Sequence, residues 1–150
     1  MALDGAFLRH TAKEIEQAAL GARVDKIYQP NREEIIVSLR SREGAVRLLL
    51  SARANSARIH ITEHVPENPK QPPMLCMLLR KKLGGAKLTG LHQTELERAI
   101  ALQFEAYNEL GDLVPCTLVT EIMGRHSNVI LVDREGKIID ALKRVDEDMS

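Results

Sequence analysis

The chain has 150 residues, 44% of them hydrophobic, which is enough apolar surface for one folded domain of ordinary size. Lys plus Arg equals Asp plus Glu at 21 each, so bulk attraction to RNA or to a charged membrane is excluded and any nucleic-acid contact has to be a local patch. Aromatic residues make up 3% and Trp is absent, so the core is expected from Leu, Ile, Val, Ala and Met, and platforms for stacking bases are scarce.

Phe7, Leu8, Ala12, Ile15, Ala19 and Leu20 follow a helical period over residues 5–20, opened by Asp4 as an N-cap and closed by Gly21. The pattern then turns to β over 24–29, over the alternating Ile35, Val37 and Leu39, and over 46–50. Turn residues at Pro30-Asn31-Arg32 and Ser41-Arg42-Glu43-Gly44 separate these segments, which predicts a three-stranded meander. A short strand over 58–62 puts Ile59 and Ile61 on one face and Arg58, His60 and Thr62 on the other, a polar face expected to meet solvent or a ligand. After a loop carrying Pro66, Pro69, Pro72 and Pro73, the spacing of Leu75, Leu78, Leu79 and Leu83 predicts a second helix over 74–83, ended by Gly84-Gly85.

Further strands are predicted over 86–92, 98–105, 115–123, 128–133 and 137–142. The fold class is therefore α+β: an antiparallel β-sandwich or partial barrel flanked by two helices. Residues 1–150 read as a single domain, and the charged stretch RVDEDMS from Arg144 reads as the place where a longer multidomain protein continues. The opening MALDGAFLRH shows no basic region followed by an apolar stretch, and no eighteen uninterrupted apolar residues occur, so a soluble, cytoplasmic protein without membrane contact is expected.

No GxSxG elbow, phosphate-binding glycine loop, HExxH pair or Cys/His zinc constellation is present. Cys76 and Cys116 have apolar neighbours and no CxxC spacing, and the five histidines are scattered. The expectation is a non-enzyme with no metal, no cofactor and two buried free thiols. The stretch Gly124-Arg125-His126-Ser127-Asn128 offers a guanidinium, an imidazole, a hydroxyl and an amide together, but it reads equally well as a hairpin turn with no ligand.

Arg80-Lys81-Lys82 has the charge to hold phosphates, yet a helix C-terminus attracts cations for structural reasons alone. Those three belong to a stretch, Arg58 to Arg98, with seven basic residues against four acidic ones. Asp4 reads as a helix cap or as a functional carboxylate, and Glu97-Arg98 as a solvated charge pair or as a site. On their own, these residues name no function.

The blocks MALDGAFLRH at the start, KIYQP at 26–30, LLLSA at 48–52, ENPKQPPMLCMLLRKKL at 67–83 and EIMGRHSN at 121–128 occur in one order across essentially the whole chain. Together they resemble the NFACT N-terminal domain of the RqcH and fibronectin-binding protein A family. The resemblance implies a domain similar in fold to the N-terminal domain of formamidopyrimidine-DNA glycosylases, the MutM-like sandwich. It does not carry glycosylase chemistry over, because the Pro-Glu start those enzymes use is replaced by Met1-Ala2-Leu3-Asp4.

What the resemblance implies instead is ribosome quality control. Such a factor binds tRNA and a large ribosomal subunit with peptidyl-tRNA, and recruits aminoacyl-tRNA, alanyl-tRNA in this family, for mRNA-independent tailing of the nascent chain. An Asp-Arg pair serves tRNA recruitment in the family, and the matching positions are Glu97 and Arg98; Asp4 matches a further acidic position. Glutamate at 97 keeps the charge and the acceptor oxygens but moves them one methylene outward. Arg125, His126, Ser127, Arg80, Lys81 and Lys82 are expected as further RNA or ribosome contacts. The alternatives are a fibronectin-binding surface adhesin, a glycosylase-related enzyme, and a structural domain whose RNA contacts are all made elsewhere.

Overall fold

In the apolar stripe that opens the chain, Leu8, Ala12, Ile15 and Ala19 recur at helical spacing, and they lie buried on one face of α1 (Gly5–Ala19). Leu20, one residue beyond the helix, is half exposed and does not belong to that face. The computed structural model describes residues 5–54, 56–63, 72–94, 98–122 and 126–143.

The predicted meander follows as β1 (Arg23–Asn31), β2 (Glu34–Ser41) and β3 (Gly44–Ser51), then β4 (Arg58–Thr62). The second helix, α2 (Met74–Leu83), leads into β5 (Lys87–Thr94), β6 (Ala99–Tyr107), β7 (Leu113–Glu121), β8 (Asn128–Val132) and β9 (Ile138–Ala141).

These strands form one antiparallel sheet in the order β4-β3-β2-β1-β5-β6-β7-β8-β9. The α+β, antiparallel expectation holds. The sheet is open, with β4 and β9 as its edges, and does not close into a full barrel. It curls far enough for β3 and β8 to approach each other across the core.

One apolar cluster fills the space between the two halves: Ile35, Val37 and Leu39 of β2, Leu48 and Leu50 of β3, Ile100, Leu102 and Phe104 of β6, Leu118 of β7, and Val129 and Leu131 of β8. α1 packs on β5 and the β2–β4 side. α2 packs Leu75, Cys76, Leu79 and Leu83 into the same cluster, against β1 and β6. The Arg80 Nε donates to the Ile27 carbonyl at 3.0 Å, and the Cys76 thiol reaches that oxygen at 3.6 Å. Both cysteines are free and buried, as expected, and burial pushes both thiols up, away from the thiolate a nucleophile or metal ligand requires.

The polar face of β4, expected to meet solvent or a ligand, is partly exposed, and from it Arg58 reaches a buried charge on β2. Glu34 is 8% exposed. Its Oε1 accepts from Asn31 Nδ2 at 2.8 Å and Arg53 Nη2 at 3.3 Å, and Arg58 Nη2 stands 3.7 Å from Oε2. Arg58 Nε donates to His60 Nε2 at 3.1 Å, which requires that nitrogen to be unprotonated; the proton sits on Nδ1 and points to the Ile61 carbonyl at 2.9 Å.

Burial pulls the Glu34 carboxyl up, but hydrogen bonds from Asn31 and Ser51 and the charges of Arg53 and Arg58 outweigh it and hold the group below its ordinary value of 4.5. A carboxyl lowered in the folded state stabilises fully above its unfolded value, and that contribution is lost as pH falls through the folded one. Glu34→Gln is therefore expected to cost about 2 kcal/mol at neutral pH. The gap from the parent protein should close as pH is taken below 4.5, read by denaturant melts across pH. A gap that stays constant with pH would mean that the carboxylate charge does not matter.

Candidate nucleic-acid interface

Four strands end on a common line. Thr94 pairs with Ala99, Ala99 with Glu121, and Glu121 with Asn128, so the β5–β6 turn, the exit of β7 and the entry of β8 share one end of the sheet. Arg98 occupies the last position of that turn with φ 48, the one described non-glycine residue in the left-handed region. This conformation costs an L-residue about 1 kcal/mol, and it is why the strand expected from position 98 begins at Ala99. The Arg98 carbonyl accepts the Ile122 N–H at 2.9 Å, tying the turn to the exit of β7. Its side chain is exposed and has no ion-pair partner among the described residues.

Asn128 is the clamp on the other side. Its Oδ1 accepts the N–H groups of Val129 and Lys143, and its Nδ2 donates to the Lys143 carbonyl, each at 2.9 Å. The segment after β9 is thereby pinned beside the start of β8. His126 is exposed next to it. Ser127, expected on the same contact surface, is fully buried, so its hydroxyl lies beneath the surface and not on it. Sequence reading counted the Asn128 amide among the groups of a polar turn that read equally well with or without a ligand, and passed over Lys143; nothing in the local pattern marks two positions 15 residues apart as a pair.

The expected contacts do not form one site. Arg80 spends its Nε on β1. Lys81 and Lys82 stand in a groove with Tyr107, at the far end of β6 from Arg98. Asp4, Glu97 and Arg125 lie outside the described residues. What the geometry brings together is an exposed guanidinium and an exposed imidazole at a strand-end line braced by backbone and Asn128 hydrogen bonds. Such donors suit phosphate oxygens and unpaired base edges. Among the described residues no helix is long and apolar enough to cross a membrane.

The chain matches a family model described as NFACT N-terminal and middle domains over residues 4–150. It is 40% identical over its whole length to the Rqc2 homolog RqcH of Bacillus subtilis, of which it covers 26%. It is 28% identical over 93% of its length to the ribosome quality control complex subunit NEMF of Homo sapiens, covering 12% of that protein. The solved N-terminal domain of the fibronectin-binding protein PavA from Streptococcus pneumoniae shares the fold at a TM-score of 0.91 with 40% identity, over 95% of this chain and 54% of that one. The chain thus spans about a quarter of the length of its RqcH relative. With a family match across nearly all of its residues and a matching fold, the chain belongs to the NFACT family.

Proposed function

We propose that this chain is the tRNA-contacting part of a cytoplasmic ribosome quality-control adaptor. It engages a large subunit still holding peptidyl-tRNA and recruits an aminoacyl-tRNA, alanyl-tRNA in the first instance, for mRNA-independent tailing of the nascent chain. Kinship with RqcH and NEMF supports the setting.

The observation that carries the residue assignment is Arg98. An arginine held in a left-handed turn, exposed and without an ion-pair partner among the described residues, has its guanidinium available to a ligand. Glycine would adopt the same conformation without the steric cost. The guanidinium is thus best explained by what it touches outside the chain, donating forked hydrogen bonds to phosphate or a base edge. His126 adds a donor at the same end of the sheet, while Glu97 and Asp4 supply acceptors for N–H groups of the RNA or of the aminoacyl moiety. The chain binds and orients; peptidyl transfer belongs to the ribosome, so the role is that of an adaptor and not of an enzyme. A second reading, fibronectin binding at a cell surface, rests on the name of the streptococcal structure.

Intact protein purified from its own cells, beside Arg98→Gly and Arg98→Ala, is expected to carry tRNA and large-subunit RNA. The tRNA should fall at least about ten-fold in both variants, and the slope of affinity against salt should drop by about one. Arg98→Gly should melt no lower than the parent, because it relieves the left-handed turn. Retention of tRNA by both variants removes Arg98 from the site, and a lower melting temperature for Arg98→Gly makes it structural. Fibronectin capture at intact cell surfaces without bound RNA would favour the adhesin.

A further inference from the structure

Where β1 meets β5, the sheet carries a row of like charges. Arg23 of β1 stands directly opposite Arg40 of β2 on one side and Lys87 of β5 on the other. Residues paired in this way point to the same face with Cβ atoms about 5 Å apart, so like charges there repel and cost stability. All three side chains are exposed. Two carboxylates stand close to the row: Asp25 lies 3.5 Å from Arg40, and Glu105 of β6 is the cross-strand partner of Lys87. Arg23 itself has no ion pair among the described residues, and its Nη1 donates to the Gly85 carbonyl at 3.2 Å.

This face of the sheet points away from the core, because Val24, Ile27, Val37, Leu39 and Leu88, which alternate with its residues, belong to the apolar cluster. Lys26 follows Arg23 along it, opposite Ser38, whose other neighbour is Arg47. Arg47 is partly buried, and its Nε has no hydrogen-bond partner among the described residues. Beside Lys26, where β1 parts from β5, a cleft of about 520 Å³ opens, lined by Asp25, Lys26, Tyr28, Arg80 and Gly84. Glu34, on the same face, is already met by Arg53 and Arg58. The excess of cations is not confined to this row: residues 23–62 hold eight basic side chains against four acidic ones, in a chain of zero net charge.

We propose that this face docks the phosphodiester backbone of an RNA, with phosphates on Arg23, Lys26 and Lys87 and one unpaired base in the cleft beside Tyr28 and Arg80. A repulsive row kept on a surface is accounted for by an anion that relieves it, and an aromatic ring and a guanidinium are the surfaces on which unpaired bases stack. A protein partner fits less well, since none of the large apolar side chains exposed among the described residues lies on β1, β2, β3 or β5 to anchor it. An anionic lipid surface would meet the row but has nothing to place in the cleft. The proposal rests on the reading of the chain as an RNA-binding adaptor and adds a second contact to it. Lys87 and Arg98 flank opposite ends of β5, roughly 20 Å apart at about 3.3 Å per residue.

The test titrates intact protein, freed of RNA, with two hairpin RNAs of unrelated sequence that each carry a one-nucleotide bulge, with the same hairpins fully paired, with tRNA, and with phosphatidylserine vesicles. Arg23→Thr/Lys26→Gln should weaken binding to both bulged hairpins alike, by about ten-fold or more, and lower the slope of log affinity against log salt by about two. Tyr28→Ala should weaken the bulged hairpins and spare the paired ones. Arg23→Thr alone should melt no lower than the parent at low salt, because it removes a repulsion on both sides and threonine suits a strand. Hairpin binding unchanged in Arg23→Thr/Lys26→Gln overturns the proposal even where Arg98→Ala loses tRNA. If Arg98→Ala keeps tRNA while the hairpins are lost from the double variant, the Arg98 assignment fails and this one stands. Binding to the vesicles in place of the hairpins, or a lower melting temperature for Arg23→Thr, also overturns it.

Discussion

The seam between β1 and β5 holds the two halves of this molecule in one sheet, and it is short. Gly21 N–H donates to Leu88 O at 2.8 Å, Leu88 N–H to Ala22 O at 2.9 Å, Val24 N–H to Ala86 O at 2.8 Å, and Gly85 N–H to Val24 O at 3.0 Å. Beyond Val24 the strands part: β1 stays with β2 as far as Asn31, and the Ile27 carbonyl is taken by Arg80 and Cys76 of α2. The opening gives α2 a place to wedge its leucines into the core, and it lets the β1–β4 half and the β5–β9 half curl toward each other over one apolar cluster. Every later strand takes its register from β5. A one-residue slip at the seam would turn Leu88, Leu102 and Leu118 to the wrong face and displace Arg98 with them.

Much of this was legible in the sequence because periodicity reports burial. Ala12, Ile15 and Ala19 marked α1, and Leu75, Leu79 and Leu83 marked α2, since a helix needs only one apolar face to declare itself. β2 was legible through Ile35, Val37 and Leu39, but its burial runs on through Ile36 and Ser38, so alternation understated how much of that strand is covered. The seam was not legible. Gly21 and Gly84-Gly85 read as helix stops, which they are, and nothing local says that the residues beside them bond to each other across more than sixty positions.

The site was harder to read than the fold for the same reason. Arg98 could be named only through a family resemblance; its left-handed backbone and the bond from Ile122 arise from a long-range meeting of two strand ends. Ser127 looked like a surface hydroxyl because turns are ordinarily wet, and it is buried because the segment after β9 is drawn over β8 by Asn128. Glu34 carries no mark of its burial in the sequence. Its partners Arg53 and Arg58 come from the other side of β3, and a pairing of that kind leaves no periodic trace.

Those pairings also explain how a chain with no net charge still presents cationic patches. Arg40 is set against Asp25, and Arg53 and Arg58 against Glu34, so part of the positive charge is neutralised inside the β1–β4 half. Among the described residues, the cations without an ion pair include Arg98 at one end of β6 and Lys81 and Lys82 near the other. β6 and β7 pair from Ala99–Glu121 to Tyr107–Leu113 without a register shift. A ladder of that kind does not slide without breaking all of its bonds together, so the two ends keep a fixed spacing. The ladder therefore holds two ends of different chemistry at a fixed distance, an exposed guanidinium at the Arg98 end and exposed apolar side chains at the Leu110 end.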